Sequence, residues 1–181
     1  MPRISVIGCS GSGKSTLSRS VHERFGIPWL ELDSLHHQAD WRSLGDAEFR
    51  ARVADFIEGH DDWIIDGNYE VVFDLVRSRC TDLVLLDVPR SRVMRQLLWR
   101  SIRRIVLRTP LWNGNREGLR TLLSLDPQES VLLWALKTYR RDPERFERLR
   151  SDPMFRSVRF HRLTGPETAD RWLLEIGCAP E

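Results

Sequence analysis

The segment Gly8-Cys9-Ser10-Gly11-Ser12-Gly13-Lys14-Ser15 sets glycines, a lysine and a hydroxyl at the spacing Gly-x4-Gly-Lys-Ser. Glycines at this spacing let the backbone curl until successive N–H groups point inward, a cradle for polyphosphate oxygens. A helix opening near Lys14 brings its positive end to the same point. The Lys14 ammonium is a flexible point charge suited to β- and γ-phosphates, and the Ser15 hydroxyl is placed to coordinate Mg²⁺. Gly8, Ser10, Gly11, Ser12, Gly13, Lys14, Ser15 and Thr16 are therefore the expected nucleotide contacts. Only Lys14 and Lys137 are lysines among 28 basic residues, so a lysine here stands out in a chain that otherwise uses arginine. Cys9 lies inside the loop, where amides could lower a thiol pKa, but a small residue filling the loop is the plainer reading.

A magnesium–phosphate site calls for an acid at the end of a neighbouring strand, reaching the ion through water. Trp63-Ile64-Ile65-Asp66 supplies one, with a turn-forming Asp-Gly as the bland alternative. The next residue is Gly67, where a water-activating ATPase would carry glutamate. That directs the chemistry away from hydrolysis and toward transfer to a bound acceptor. No Asn-Lys-x-Asp guanine reader occurs, so ATP is the expected nucleotide, although the loop itself reads only phosphates.

Asp33 follows a short apolar run and is expected at the carboxyl edge of the sheet, where open parallel sheets bind ligands. A carboxylate there can accept a hydroxyl proton and orient the nucleophile; capping the turn at Ser34 is its structural alternative. His36 and His37 follow, too isolated in sequence for a metal site, and Trp41 suits either stacking on an acceptor or anchoring its own loop. Further on, Arg100, Arg103, Arg104 and Arg108 share one side of a helix. Arginines carried by a closing lid would stabilise the oxygen charge of phosphoryl transfer. The polar break Thr109–Asn115, followed by Arg116 and Arg120, reads as such a lid.

The elements that must position these groups alternate. Strands are expected at Ile4–Ile7, Pro28–Leu32, Trp63–Asp66, Leu83–Val88 and Val158–Leu163. Helices are expected from Lys14 to Phe25, Asp46 to Glu58, Val71 to Arg79 and Ser91 to Leu107, then through to about Arg150, and from Glu167 to Ile176. Residues 34–45 read as a loop. Strand–helix alternation predicts a parallel sheet covered on both faces, in one domain over 1–181 with an acceptor-side insertion near 33–62 and an arginine-rich lid near 100–120.

Composition is consistent with this. A 41% hydrophobic content supports a core, and no apolar run approaches the roughly 18–20 residues of a membrane span. Met1-Pro2-Arg3 runs directly into the first strand, too short for a signal-peptide core, so a cytoplasmic protein without membrane partners is expected. Cys9, Cys80 and Cys178 fit no metal spacing and are expected as reduced thiols. The formal charge of +2 conceals an asymmetry: Arg90 to Arg120 holds nine arginines against the single acid Glu117. With Trp99 and Trp112 interleaved, that segment could instead contact nucleic acid in a nucleotide-switched binding protein.

Gly8–Ser15, Ile65-Asp66-Gly67, the strand into Asp87-Val88-Pro89 with its following arginine helix, and Leu163-Thr164-Gly165-Pro166 together resemble the adenylate kinase-like P-loop kinase superfamily. Leu32-Asp33 with Trp41, Asp66-Gly67-Asn68-Tyr69, Asp87-Val88-Pro89-Arg90 and Trp134 look most like its "DNA topology modulation protein" branch. The resemblance implies a P-loop NTPase three-layer α/β/α sandwich with a parallel five-stranded sheet and a small lid. It implies ATP and Mg²⁺ as cofactors and γ-phosphate transfer to a small-molecule acceptor, such as a nucleotide or nucleoside. Lys14, Asp33, Arg100, Arg104 and Arg116 become the expected catalytic residues, Ser15 and (through water) Asp66 the metal contacts, and His37, Trp41 and Asn68 the acceptor contacts. Nucleoside monophosphate kinases carry an arginine after the Asp-Gly turn, whereas Asn68-Tyr69-Glu70 stands here.

Overall fold

In a computed structural model the described residues are 1–118 and 130–177. Arg120 and Cys178, and the expected helix where it crosses 119–129, lie outside them. Five strands form one parallel sheet: β1 (Arg3–Ile7), β2 (Trp29–Glu31), β3 (Trp63–Asp66), β4 (Asp82–Leu86) and β5 (Arg159–Leu163), in the order β2-β3-β1-β4-β5. Helices are α1 (Lys14–Phe25), α2 (Leu32–His36), α3 (Asp46–Glu58), α4 (Glu70–Arg79), α5 (Arg90–Val106), α6 (Val131–Thr138), α7 (Arg141–Ser151) and α8 (Pro166–Gly177).

Period-two alternation along each strand builds the three layers. Ile4, Val6, Ile64, Val84 and Leu86 pack with Leu17 and Val21 of α1 and with Trp172 and Leu173 of α8. From the other side of β3, Trp63 and Ile65 meet Phe49 and Val53 of α3 and Val72 and Val76 of α4. Leu83 and Leu85 of β4 likewise meet Phe146 and Leu149 of α7. This is the expected α/β/α sandwich around a five-stranded parallel sheet. Among the described residues no helix is long and apolar enough to cross a membrane.

Two differences from the sequence expectation bear on the site. The second strand stops at Glu31, not Leu32, and the chain turns at once into α2, held by the Ser34 hydroxyl donating to the Glu31 carbonyl at 2.7 Å. Asp33 therefore sits in the first turn of a short helix, and Glu31 is the acid at the strand end. In the second, α6 and α7 are separate helices, broken at Tyr139-Arg140.

Candidate functional site

Parallel register aligns the carboxyl ends of the strands. Val6 pairs with Asp66 and Glu31 pairs with Asp66, so the phosphate loop after β1 lies beside two carboxylates on successive neighbouring strands. The loop is folded as its spacing predicts. Gly8 has φ +149°, and a Cβ there would lie 2.9 Å from the Leu86 carbonyl oxygen. Ser12 N–H donates to Cys9 O at 3.1 Å. The Lys14 ammonium curls over the loop, donating to Gly8 O at 2.7 Å and Cys9 O at 3.1 Å. Burial pushes the Cys9 thiol up to about 11, so it is a neutral filler at physiological pH.

The hydroxyl of Ser15 donates to Glu31 Oε1 at 2.6 Å. With its proton turned to that carboxylate, the hydroxyl's lone pairs are free for a cation. Asp66 is 2% exposed, and its Oδ2 has no hydrogen-bond partner. Burial, then the Glu31 charge, raise its carboxyl to about 7, with Lys14 opposing and Asp33 adding to the rise. A hydroxyl and two carboxylates, one of them with an orphaned buried oxygen, are hard donors that fit Mg²⁺, which binds through one or two carboxylates plus waters and phosphates. Among the described residues no three His, Cys, Asp or Glu side chains converge as a self-sufficient metal cage.

On the acceptor side, Tyr69 Oη donates to Asp33 Oδ1 at 2.7 Å and lies 3.4 Å from His37 Nε2. Burial and the Asp33 anion raise the Tyr69 phenol well above its ordinary value, so it stays a donor. His36 packs against Phe49 and Tyr69, and its pKa is lowered by burial and by His37. The His37 ring lies parallel to Trp112 with centroids 5.7 Å apart, and edge-on to Trp41.

The polar break holds a tight turn, Trp112–Gly114, that is docked on residues 34–41. Asn113 Nδ2 donates to His37 O (2.6 Å) and Ser34 O (3.3 Å), and Asn115 Nδ2 donates to Gln38 O (2.8 Å). Trp41 N–H donates to Asn115 Oδ1 at 2.9 Å, and its indole to Arg116 O at 3.3 Å. Trp41 thus anchors one loop to the other. Asp40, Trp41 and Asn113 have φ of +58°, +56° and +55°, unusual for residues with side chains. A cavity of about 290 Å³ opens between the two loops, rimmed by Trp41, Asn115 and Arg116, without any phosphate-loop residue in its lining.

Arg104 Nη1 donates to Glu117 Oε1 at 2.6 Å. Arg100 is largely buried, and its Nε lacks a partner. Burial, then the Arg104 charge, lower its pKa, and the charges of Glu117, Asp33 and Glu31 oppose the shift. Arg116 is exposed at the rim. Asn68 is bonded to the phosphate loop. Its amide donates to Gly8 O (2.6 Å) and Asp142 Oδ2 (2.8 Å), and its Oδ1 accepts from Gly8 N–H (3.3 Å), which braces the phosphate loop.

Three solved structures share the fold over nearly their whole length. A sugar kinase from Janibacter sp. HTCC2649 superposes with a TM-score of 0.56 at 19% identity, covering 99% of this chain and 96% of that one. A gluconokinase from Sinorhizobium meliloti 1021 gives 0.52 at 18%, covering 97% and 93%. Shikimate kinase from Acinetobacter baumannii, in complex with shikimate, gives 0.51 at 20%, covering 97% and 90%. The fold is that of the P-loop kinases. The sequence matches no protein-family model and no curated protein.

Within this P-loop kinase fold, Glu31, Tyr69, Trp112, Glu117 and Asp142 are the site residues to which the sequence assigned no role here. Glu31 carried a partial signal, an acid closing the apolar pair Trp29-Leu30, with nothing local to name its partners. Trp112 carried a weaker one, a large indole in a stretch of Asn, Gly and Pro.

Proposed function

We propose that this protein transfers the γ-phosphate of Mg–ATP to a hydroxyl of a small polar acceptor. The observation that carries the reading is the meeting, at one sheet edge, of a phosphate cradle, a hydroxyl–carboxylate pair for magnesium, and a separate acid, Asp33, held by the Tyr69 phenol. Loop amides and Lys14 hold the phosphates. Ser15, oriented by Glu31, and Asp66 hold Mg²⁺, which when bound neutralises β/γ charge. Asp33, with Tyr69 fixing one oxygen, orients the acceptor hydroxyl and accepts its proton through the other. Arg100 and Arg104 stabilise oxygen charge as the phosphoryl group moves, with Arg104 released from Glu117 and Arg116 brought in from the rim of a lid.

The superposed sugar kinase, gluconokinase and shikimate kinase favour a polyhydroxy acceptor over a nucleoside monophosphate, as does the absence of an arginine after Asp66-Gly67. Resemblance to the adenylate kinase-like superfamily, and to its DNA topology modulation branch, is carried by the motifs alone. Arg100 and Arg104 turn inward, which subtracts them from any nucleic-acid surface. The test is a screen of sugars, sugar acids, nucleosides and nucleotides with γ-labelled ATP and Mg²⁺, beside Lys14→Ala as blank. A labelled product that falls by two or more orders of magnitude with Asp33→Asn supports the reading. Hydrolysis alone, insensitive to Asp33→Asn, defeats it.

A further inference from the structure

Glu31 is gripped from both sides. Ser15 Oγ donates to Oε1 at 2.6 Å, and the indole N–H of Trp112 donates to Oε2 at 2.7 Å. The first donor belongs to the phosphate loop; the second comes from the turn docked on the acceptor loop, 81 residues away in sequence. A half-buried glutamate with three side-chain torsions samples several orientations, and one donor leaves it free to swing about that contact. Donors on both oxygens leave one orientation. We propose that Trp112 is a positioning residue for the metal site: it pins the Glu31 carboxylate so that the opposite oxygen receives the Ser15 proton and the hydroxyl's lone pairs point at the cation. The inference rests on the magnesium–nucleotide site proposed above.

The turn that carries Trp112 is docked redundantly, with Asn115 bonded to Gln38 O besides the contacts of Trp112 and Asn113, so no single docking bond sets the indole's place. The Trp112 ring lies parallel to His37, and Asn113 beside it is bonded to the carbonyls of Ser34 and His37. Neither contact needs the indole N–H, so the hydrogen bond to Glu31 is separable from the docking of the turn.

That separability gives the experiment. ATP binding is measured by calorimetry with Mg²⁺ and with excess chelator, for wild type, Trp112→Phe and Asn113→Gly. Phenylalanine keeps a ring against His37 and deletes the N–H; glycine suits the positive φ of Asn113 and deletes only the amide's bonds to the loop. Trp112→Phe is expected to lose about tenfold of the affinity gained from Mg²⁺, the scale of a hydrogen bond to a charged group. Its chelator-treated ATP affinity should match wild type, which also confirms an intact phosphate loop. Asn113→Gly is expected to keep the full magnesium gain. An unchanged gain in Trp112→Phe, or an equal loss in Asn113→Gly, overturns the inference while leaving the phosphotransfer reading standing. A wild type that binds ATP without any gain from Mg²⁺ overturns the metal role of Glu31 along with it, and a wild type that binds no ATP removes the phosphotransfer reading itself.

Discussion

Asp66 stands where negative charge is disfavoured. Burial strips water from the carboxylate, the Glu31 charge adds to this, Lys14 relieves part, and Asp33 adds again, raising the carboxyl to about 7. A raised carboxyl pKa means the folded chain keeps a proton that the unfolded chain gives up near its ordinary value of 3.8. The stabilisation is present below that value and disappears as pH rises to 7, with a ceiling of roughly 4 kcal/mol. Asp66→Asn should flatten this slope, making the ligand-free protein more stable to urea above pH 7 than wild type. A cation favours the ionised form, so Mg–ATP affinity should strengthen from pH 6 to 8 with proton release, measured by calorimetry in buffers of different ionisation enthalpy. Both effects vanish together in Asp66→Asn if one carboxyl causes them. At this scale the phosphate loop was readable because its chemistry is contained in eight consecutive residues. Glu31 was not, because its partners Ser15 and Trp112 come from different elements. Misplacing the end of β2 by one residue put the emphasis on Asp33 alone.

Between elements, the contact that sets the acceptor side is the one between the end of β3 and the start of α2. Gly67 has φ +139°, and a Cβ there would fall 2.8 Å from Leu32 Cβ, an atom fixed to the backbone of α2. From sequence, Gly67 marked what was missing, a water-activating glutamate; the structure adds that no side chain fits. Gly67→Ala should cost about 1–3 kcal/mol in urea unfolding, through backbone strain and overpacking. It should also push α2, and with it Asp33, away from Asp66. The acceptor KM is therefore expected to rise several-fold while ATP affinity, set on β1 and α1, changes less; equal losses in both would mean a general loosening of the fold. The regular elements were legible because strand alternation and helix periodicity are local. The short α2 lacks a full apolar period, and the docking of Trp112–Gly114 on the acceptor loop depends on pairs such as Trp41 and Asn115, 74 residues apart, that no local pattern encodes.

Across the whole molecule, the phosphate loop is where separate layers are tied. Its Gly8 is bonded to Asn68 after β3, which is bonded to Asp142 on α7; its Ser15 reaches β2 through Glu31; and Gly11 lies against Val93 and Leu97 of α5. A ligand seated there binds a folded arrangement that the unfolded chain lacks, so it must raise stability by mass action, about 2.7 kcal/mol at a hundred times Kd. For a chain of this size, each kcal/mol moves Tm by roughly 2–4 °C, which predicts an upward shift of roughly 5–10 °C with saturating Mg–ATP. Chelation should reduce the shift, and Lys14→Ala should abolish most of it. Single-stranded DNA supplies the contrasting arm, because the arginines outside the site also attract phosphate. A shift with DNA that survives Lys14→Ala and collapses with added salt would place binding on the outer face of α5. A shift confined to Mg–ATP and dependent on one ammonium would place it in the cradle, where the geometry of the sheet edge gives a terminal phosphate somewhere to go.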